Sequence, residues 1–92
     1  MDELKCVFVK IHGFVQGVGF RHYIRSFAKK LDIKGWVRNA EDGTVEAIFE
    51  GSENSVNKIL EFCKKGPELA NVSRIEVKEE SPYGFIDFEI RH

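Results

Sequence analysis

Ninety-two residues suffice for one domain, 1–92; two domains of half that length would each fall below the size that folds comfortably alone. With 42% hydrophobic and 32% charged residues of both signs and a formal net charge of −1, the composition is globular rather than disordered, and it argues against bulk nucleic-acid binding. No apolar run approaches the ~20 residues of a membrane helix, no signal-peptide pattern is present, and Cys6 and Cys63 stand too far apart for a zinc site, so free thiols in a reducing cytoplasm are expected.

Residues 5–12 alternate. Val7, Val9 and Ile11 share one face and Cys6, Phe8, Lys10 and His12 the other, which predicts a strand. Gly13 to Gly19 is glycine-rich. From Phe20 the period lengthens, and Phe20, Ile24, Phe27, Ala28 and Leu31 form one helical stripe. A short strand follows at 35–39. Ala40 to Gly43 reads as a hairpin loop with Gly43 supplying positive φ, and Val45, Ala47 and Phe49 mark a third strand over 44–50. Ser52 is a good N-cap for a second helix whose stripe is Val56, Ile59, Leu60 and Cys63. Lys64 and Lys65 suit its C-terminal end, Gly66 the left-handed cap, and Pro67 stops it. A strand at 72–79 is expected to point Ile75 and Val77 inward. After a turn at 81–84, Ile86, Phe88 and Ile90 alternate in a last strand.

The order β-α-β-β-α-β plus one strand predicts an α+β fold, a ferredoxin-like βαββαβ sandwich with an additional C-terminal strand. Its antiparallel sheet would carry both helices on one face and leave the other to solvent. The short connection before the last strand favours pairing with the strand that precedes it.

The segment Gly13-Phe14-Val15-Gln16-Gly17-Val18-Gly19-Phe20-Arg21 joins the first strand to the first helix. Small residues there let consecutive N–H groups converge as an anion nest, and the helix start adds unpaired N–H groups and its dipole. Arg21 supplies a fork that matches phosphate oxygens. An arginine at a helix start is unfavourable for the macrodipole, which points to a compensating anion. The segment lacks the Gly-Lys-Ser/Thr ending of a nucleotide P-loop, and His22 stands where a dinucleotide fingerprint needs a third glycine. The plainer alternative is a glycine-rich connection shaped by packing alone.

Asn39, before a hairpin loop, reads first as a turn residue. Topology adds to this. The first two strands are joined through a helix and so run the same way, which brings their C-terminal ends to one sheet edge. With the third strand between them, the nest and Asn39 would stand two strand spacings apart, roughly 10 Å, a gap that suits a phosphate and a water.

Gly13 to Arg21 resembles the first signature of the acylphosphatases. Gly35-Trp36-Val37-Arg38-Asn39 followed by Asp42-Gly43-Thr44-Val45-Glu46 resembles the second, and Cys63-Lys64-Lys65-Gly66-Pro67 is also similar to that family. The resemblance covers nearly the whole chain. It implies a small cytoplasmic enzyme that hydrolyses the carboxyl–phosphate bond of acyl phosphates. Arg21 would bind the substrate phosphate together with the backbone N–H groups of Gln16, Gly17, Val18, Gly19 and Phe20, and Asn39 would orient the attacking water. No metal or organic cofactor is implied. The expected partner is a small-molecule acyl phosphate, with a monomeric chain that engages neither nucleic acid nor membrane. The family also places the last strand at the far edge of the sheet.

The residues suit this chemistry in their own right. A carboxylate leaves an acyl phosphate without a strong acid, so the reaction needs mainly positioning and charge stabilisation. Asn39 is no base, so the substrate phosphate is expected to take the water's proton. His12 and His22 are the other candidate bases. Cys63 reads as core, and Cys6 lacks the partners of a nucleophile. Trp36 reads as packing or as a half-exposed platform. Arg21, Arg25, Lys29 and Lys30 make the first helix basic, which would steer anions. Two competing readings are a ferredoxin-like nucleic-acid-binding module and a noncatalytic phosphate-binding domain. Glu46 and Glu50 on the third strand, where a basic-aromatic stacking surface would lie, weigh against the first.

Overall fold

The period-two and helical segments fold, in a computed structural model, in the order the sequence predicts. The structure describes residues 3–92; Met1 and Asp2 of the expected 1–92 domain lie outside the described residues. The elements are β1 (Leu4–Phe14), α1 (Phe20–Lys30), β2 (Lys34–Asn39), β3 (Val45–Ser52), α2 (Glu53–Lys65), β4 (Asn71–Glu80) and β5 (Phe88–Arg91). Both helices cover the face formed by Val7, Val9, Ile11, Val37, Val45, Ala47 and Phe49, and fill it with Phe20, Ile24, Ala28, Val56, Ile59 and Cys63. The helices meet through Phe27 and Phe62, stacked with centroids 3.8 Å apart, and through the Tyr23 hydroxyl, which donates to the Phe62 carbonyl.

Each helix end has a local cause. Ser52 accepts from the Ser55 N–H at 3.1 Å and caps α2 as expected. Asp32, at φ 56°, closes α1 in the left-handed region, which Asp tolerates better than most residues, and Ile33 N–H then reaches the Ala28 carbonyl. Gly66 departs from expectation. Its φ is 71° but its ψ is 171°, so the chain leaves α2 extended rather than through a left-handed cap.

The strand order is β4-β1-β3-β2-β5. The first four strands pair antiparallel, and β5 joins β2 in parallel. The last strand therefore does not pair with its predecessor. The 81–87 connection crosses from one sheet edge to the other, and Glu50 lies on its path. Glu50 is 4% exposed, and its carboxylate accepts the N–H groups of Tyr83, Gly84 and Phe85. Three backbone donors satisfy a carboxylate that would otherwise be costly to bury.

Three expectations are corrected, two by this strap and one by the edge position of β4. The second sheet face is not left wholly to solvent, since Cys6, Ile48 and Glu50 are buried on it. Ile86 belongs to the strap rather than the last strand and is 92% exposed. Val77 shares a face with buried Val9 but is 46% exposed, because its strand is an edge. Burial first, then the neighbouring Glu50 carboxylate, push the Cys6 thiol up to about 11, and burial alone pushes Cys63 up to about 12. Neither is a thiolate nucleophile at neutral pH.

Candidate active site

The segment after β1 is pinned at both ends by burial. Val15 and Phe20 are both core side chains, each worth roughly 1.5–3 kcal/mol when removed from water. That outweighs the roughly 0.5–1 kcal/mol by which a glycine loosens a fixed backbone position. Between the anchors, Gly17 and Gly19 take φ of 75° and 78° while Val18 does not. Alternation of left- and right-handed residues is the geometry that turns successive N–H groups toward one point. A Cβ at Gly17 or Gly19 would meet nothing within 4 Å, so glycine serves conformation there and not space.

Gly19 is also the N-cap of α1, in the left-handed region and with no side-chain cap, and the first turn carries no acid. By contrast, α2 starts with the Ser52 cap and Glu53. The start of α1 thus keeps its positive end uncompensated. Among the described residues, the N–H groups of 16–20 meet no acceptor in the loop. Val18 packs against the core and Phe20 lies within it, so these two could serve an anion only through their backbone.

Arg21 stands in the first turn of α1, half-buried, with no carboxylate partner among the described residues. Lys10, Lys29 and Arg38 are all paired with acids. The Arg21 Nη1 instead donates to His92 Nδ1 at 3.2 Å. Asn39 ends β2, half-buried. It pairs with Val45, which pairs in turn with Ile11 on β1. β3 therefore does lie between the strands that carry the loop and Asn39, a separation of roughly 10 Å. A cavity of about 500 Å³ opens beside Asn39, and Arg38, Glu41, Asp42, Glu46 and His92 line it with Asn39 and Ala40. His92 thus touches Arg21 and borders the same cavity as Asn39.

Two contributors escape sequence reasoning. His92 arrives because β5 runs parallel to β2, with Arg91 level with Arg38. The far-edge placement implied by the family resemblance is the one observed, while the short connection pointed to the other edge. The Gln16 side chain is the other: its Nε2 donates to the carbonyls of Ala40 at 2.8 Å and Thr44 at 2.9 Å. The two histidines weighed as bases lie elsewhere. His12 is paired with Glu76 at 2.5 Å, and His22 lies in a basic groove with Arg25, Ser26, Lys29 and Lys30. Trp36 is half-buried, and the guanidinium groups of Arg38 and Arg91 lie 5.7 and 5.0 Å from its ring centroid.

The hairpin after Asn39 is held by charge as well as backbone. Asp42 accepts from Lys10 at 2.9 Å and from the Thr44 hydroxyl at 2.6 Å. These partners, Lys10 foremost, hold its carboxyl well below the usual carboxylate range. A depressed folded value contributes stability above the ordinary carboxylate range, and the contribution is lost as pH falls through the folded value. Asp42→Asn should therefore lower Tm at pH 7, with the gap from wild type closing as the pH is taken below that range. Thermal melts across the acid limb check this; a gap independent of pH would contradict it.

The family model described as acylphosphatase matches residues 7–90. An acylphosphatase of Acaryochloris marina is 47% identical over 90 residues, covering 98% of this chain and 97% of that protein. One of Chloroflexus aurantiacus is 51% identical over 76 residues, 83% of each chain. The crystal structure of acylphosphatase from Bacillus subtilis superposes with a TM-score of 0.93 at 37% identity, covering 98% of this chain and all of that one.

Proposed function

The chain belongs to the acylphosphatase family, and from that premise we propose that Arg21 and the backbone N–H groups of Gln16, Gly17, Val18, Gly19 and Phe20 hold the substrate phosphate while Asn39 orients the attacking water. As an acylphosphatase the protein hydrolyses the carboxyl–phosphate bond of small acyl phosphates to a carboxylate and inorganic phosphate. The observation that carries the residue assignment is Arg21: a cation without a carboxylate partner among the described residues, at an uncapped helix start, next to a loop in which left-handed Gly17 and Gly19 flank Val18.

The phosphoryl group sits with its equatorial oxygens in the N–H nest. The Arg21 fork spans two of them, which neutralises the charge that spreads there as the bond to the carboxylate lengthens. His92 accepts from Arg21 without cancelling its charge, as a carboxylate would. Water enters from the Asn39 side. The Asn39 carboxamide oxygen accepts a hydrogen bond from one water O–H and leaves the water's lone pair facing phosphorus. Attack forms the new P–O bond and breaks the bond to the acyl oxygen, whose electron pair departs as carboxylate. The water's proton passes to a phosphate oxygen. The leaving acyl group projects out of the cradle toward solvent, in line with and opposite the attacking water.

The two buried, unpaired thiols fit a reducing cytoplasm. No helix among the described residues is long and apolar enough to cross a membrane. The Glu46 carboxylate on β3, paired with Arg38 and Lys10, suits neither RNA stacking nor phosphate-backbone contact, and the chain acts as a monomer on a small molecule. A metal-free assay with benzoyl phosphate tests the activity. Turnover that inorganic phosphate inhibits competitively supports this account, and absence of turnover overturns it.

A further inference from the structure

We propose that the side chain of Gln16 is a positioning residue, which fixes the phosphate loop at a set distance from Asn39. The proposal rests on the site reading above. The carboxamide Nε2 reaches the Ala40 carbonyl at 2.8 Å and the Thr44 carbonyl at 2.9 Å, across 24 and 28 residues of sequence. Two carbonyls facing one amide leave a single choice of orientation, because only the NH₂ end donates twice. Ala40 follows Asn39 directly.

The hairpin does not depend on these bonds to close. Ala40 N–H already donates to the Thr44 carbonyl at 2.9 Å, and Gly43 N–H to the Ala40 carbonyl at 3.2 Å. Both carbonyls serve Gln16 as second acceptor sites. What the side chain adds is a tie between two segments on different strands, one carrying the N–H nest and the other Asn39. The loop's own anchors, Val15 and Phe20, fix it to the core and not to the hairpin. Without the tie, the nest and Asn39 each keep their local structure but lose their common frame. Phosphate binding, which uses the nest and Arg21, should then survive, while alignment of water against phosphorus should not. A misplacement of about 1 Å in reacting groups costs on the order of 10²-fold in rate.

The test compares Gln16→Met, which keeps length without donors, and Gln16→Glu, which faces the two carbonyls with an acceptor. Substrate is benzoyl phosphate and the binding probe is inorganic phosphate. For Gln16→Met, kcat should fall about 10–100-fold, with the inhibition constant for phosphate changed less than about threefold. For Gln16→Glu, kcat relative to wild type should rise as pH drops from about 7 toward 4.5, where the protonated carboxyl regains one donor. The charged groups of the neighbouring elements, Lys10 on β1, Asp42 in the hairpin and Arg21 with His92, are common to both proteins, so the ratio isolates residue 16. A Gln16→Met enzyme with wild-type kcat, or a kcat loss matched by equal loss of phosphate affinity, overturns the proposal. So does a Gln16→Glu ratio that is flat with pH, which also decides the matter if Gln16→Met does not fold. Arg21→Ala and Asn39→Ala run alongside. If they are inactive while the Gln16 variants behave as wild type, only the positioning role fails; if they too behave as wild type, the site reading fails and the positioning role with it.

Discussion

Arg21→Ala should lower kcat/KM for an acyl phosphate by about 10²–10⁴. The range corresponds to ~3–5 kcal/mol of transition-state stabilisation. That is about what one or two charge-assisted hydrogen bonds contribute when truncation leaves their partner oxygens unpaired in a partly desolvated site. The nest limits the loss, because the backbone donors of 16–20 remain. Helix stability opposes it only slightly: removing a cation from the first turn of α1 is favourable by about 0.3–1 kcal/mol, so Tm should hold or rise. Loss of activity with unchanged or raised Tm separates a functional arginine from a structural one. Arg21→Lys should recover only part of the loss, since an ammonium is a point charge without the planar fork. Steady-state kinetics and thermal melts on the same preparations check both statements. An alanine variant within threefold of wild type would contradict them.

Asn39→Ala should reduce kcat by a similar order, about 10²–10⁴, for a different reason. The residue carries no charge and contributes little to holding the phosphate. Its contribution is orientation, the conversion of a loosely held water into one aligned with phosphorus, and such alignment accounts for several kcal/mol of a barrier. Asn39 ends β2, and its backbone continues the pairing with Val45, so alanine leaves the strand intact. Asn39→Asp is the informative second variant. It keeps an acceptor for the water but brings a negative charge toward the substrate phosphate, so it should stay below wild type and improve as pH falls. Pre-steady-state and steady-state measurements with benzoyl phosphate distinguish slow chemistry from slow product release. An Asn39→Ala enzyme at wild-type kcat would remove the residue from the mechanism.

The periodicities carried most of the fold. Val7, Val9 and Ile11, then the Phe20 to Leu31 stripe, placed β1, α1 and the joining loop, because the switch from a period of two to a helical period is local information. The loop itself was legible because Gly17 and Gly19 state a backbone requirement directly in residue type. Asn39 was legible through the resemblance of 35–39 to a family signature and through topology: two parallel strands with a third between them bring their ends together. The misreadings share a cause. Ile86 alternates correctly with Phe88 and Ile90, yet it lies in the strap, because the N–H groups of Tyr83, Gly84 and Phe85 are bound by a carboxylate 33 to 35 residues earlier. No local pattern encodes that partner. The same crossing delivers β5 to the edge of β2 and His92 to Arg21. Gln16 was named for its backbone, and its side chain matters through carbonyls that any residues at 40 and 44 would present. Contacts to backbone leave no signature in the partner's sequence.

The central claim is a division of labour, with Arg21 and the nest binding phosphate and Asn39 acting on water. The inhibition constant of inorganic phosphate, measured in one assay for wild type, Arg21→Ala and Asn39→Ala, tests it most directly. The account predicts a constant raised about tenfold or more by Arg21→Ala and changed less than about threefold by Asn39→Ala. Loss of phosphate inhibition in Asn39→Ala, with its retention in Arg21→Ala, would contradict it.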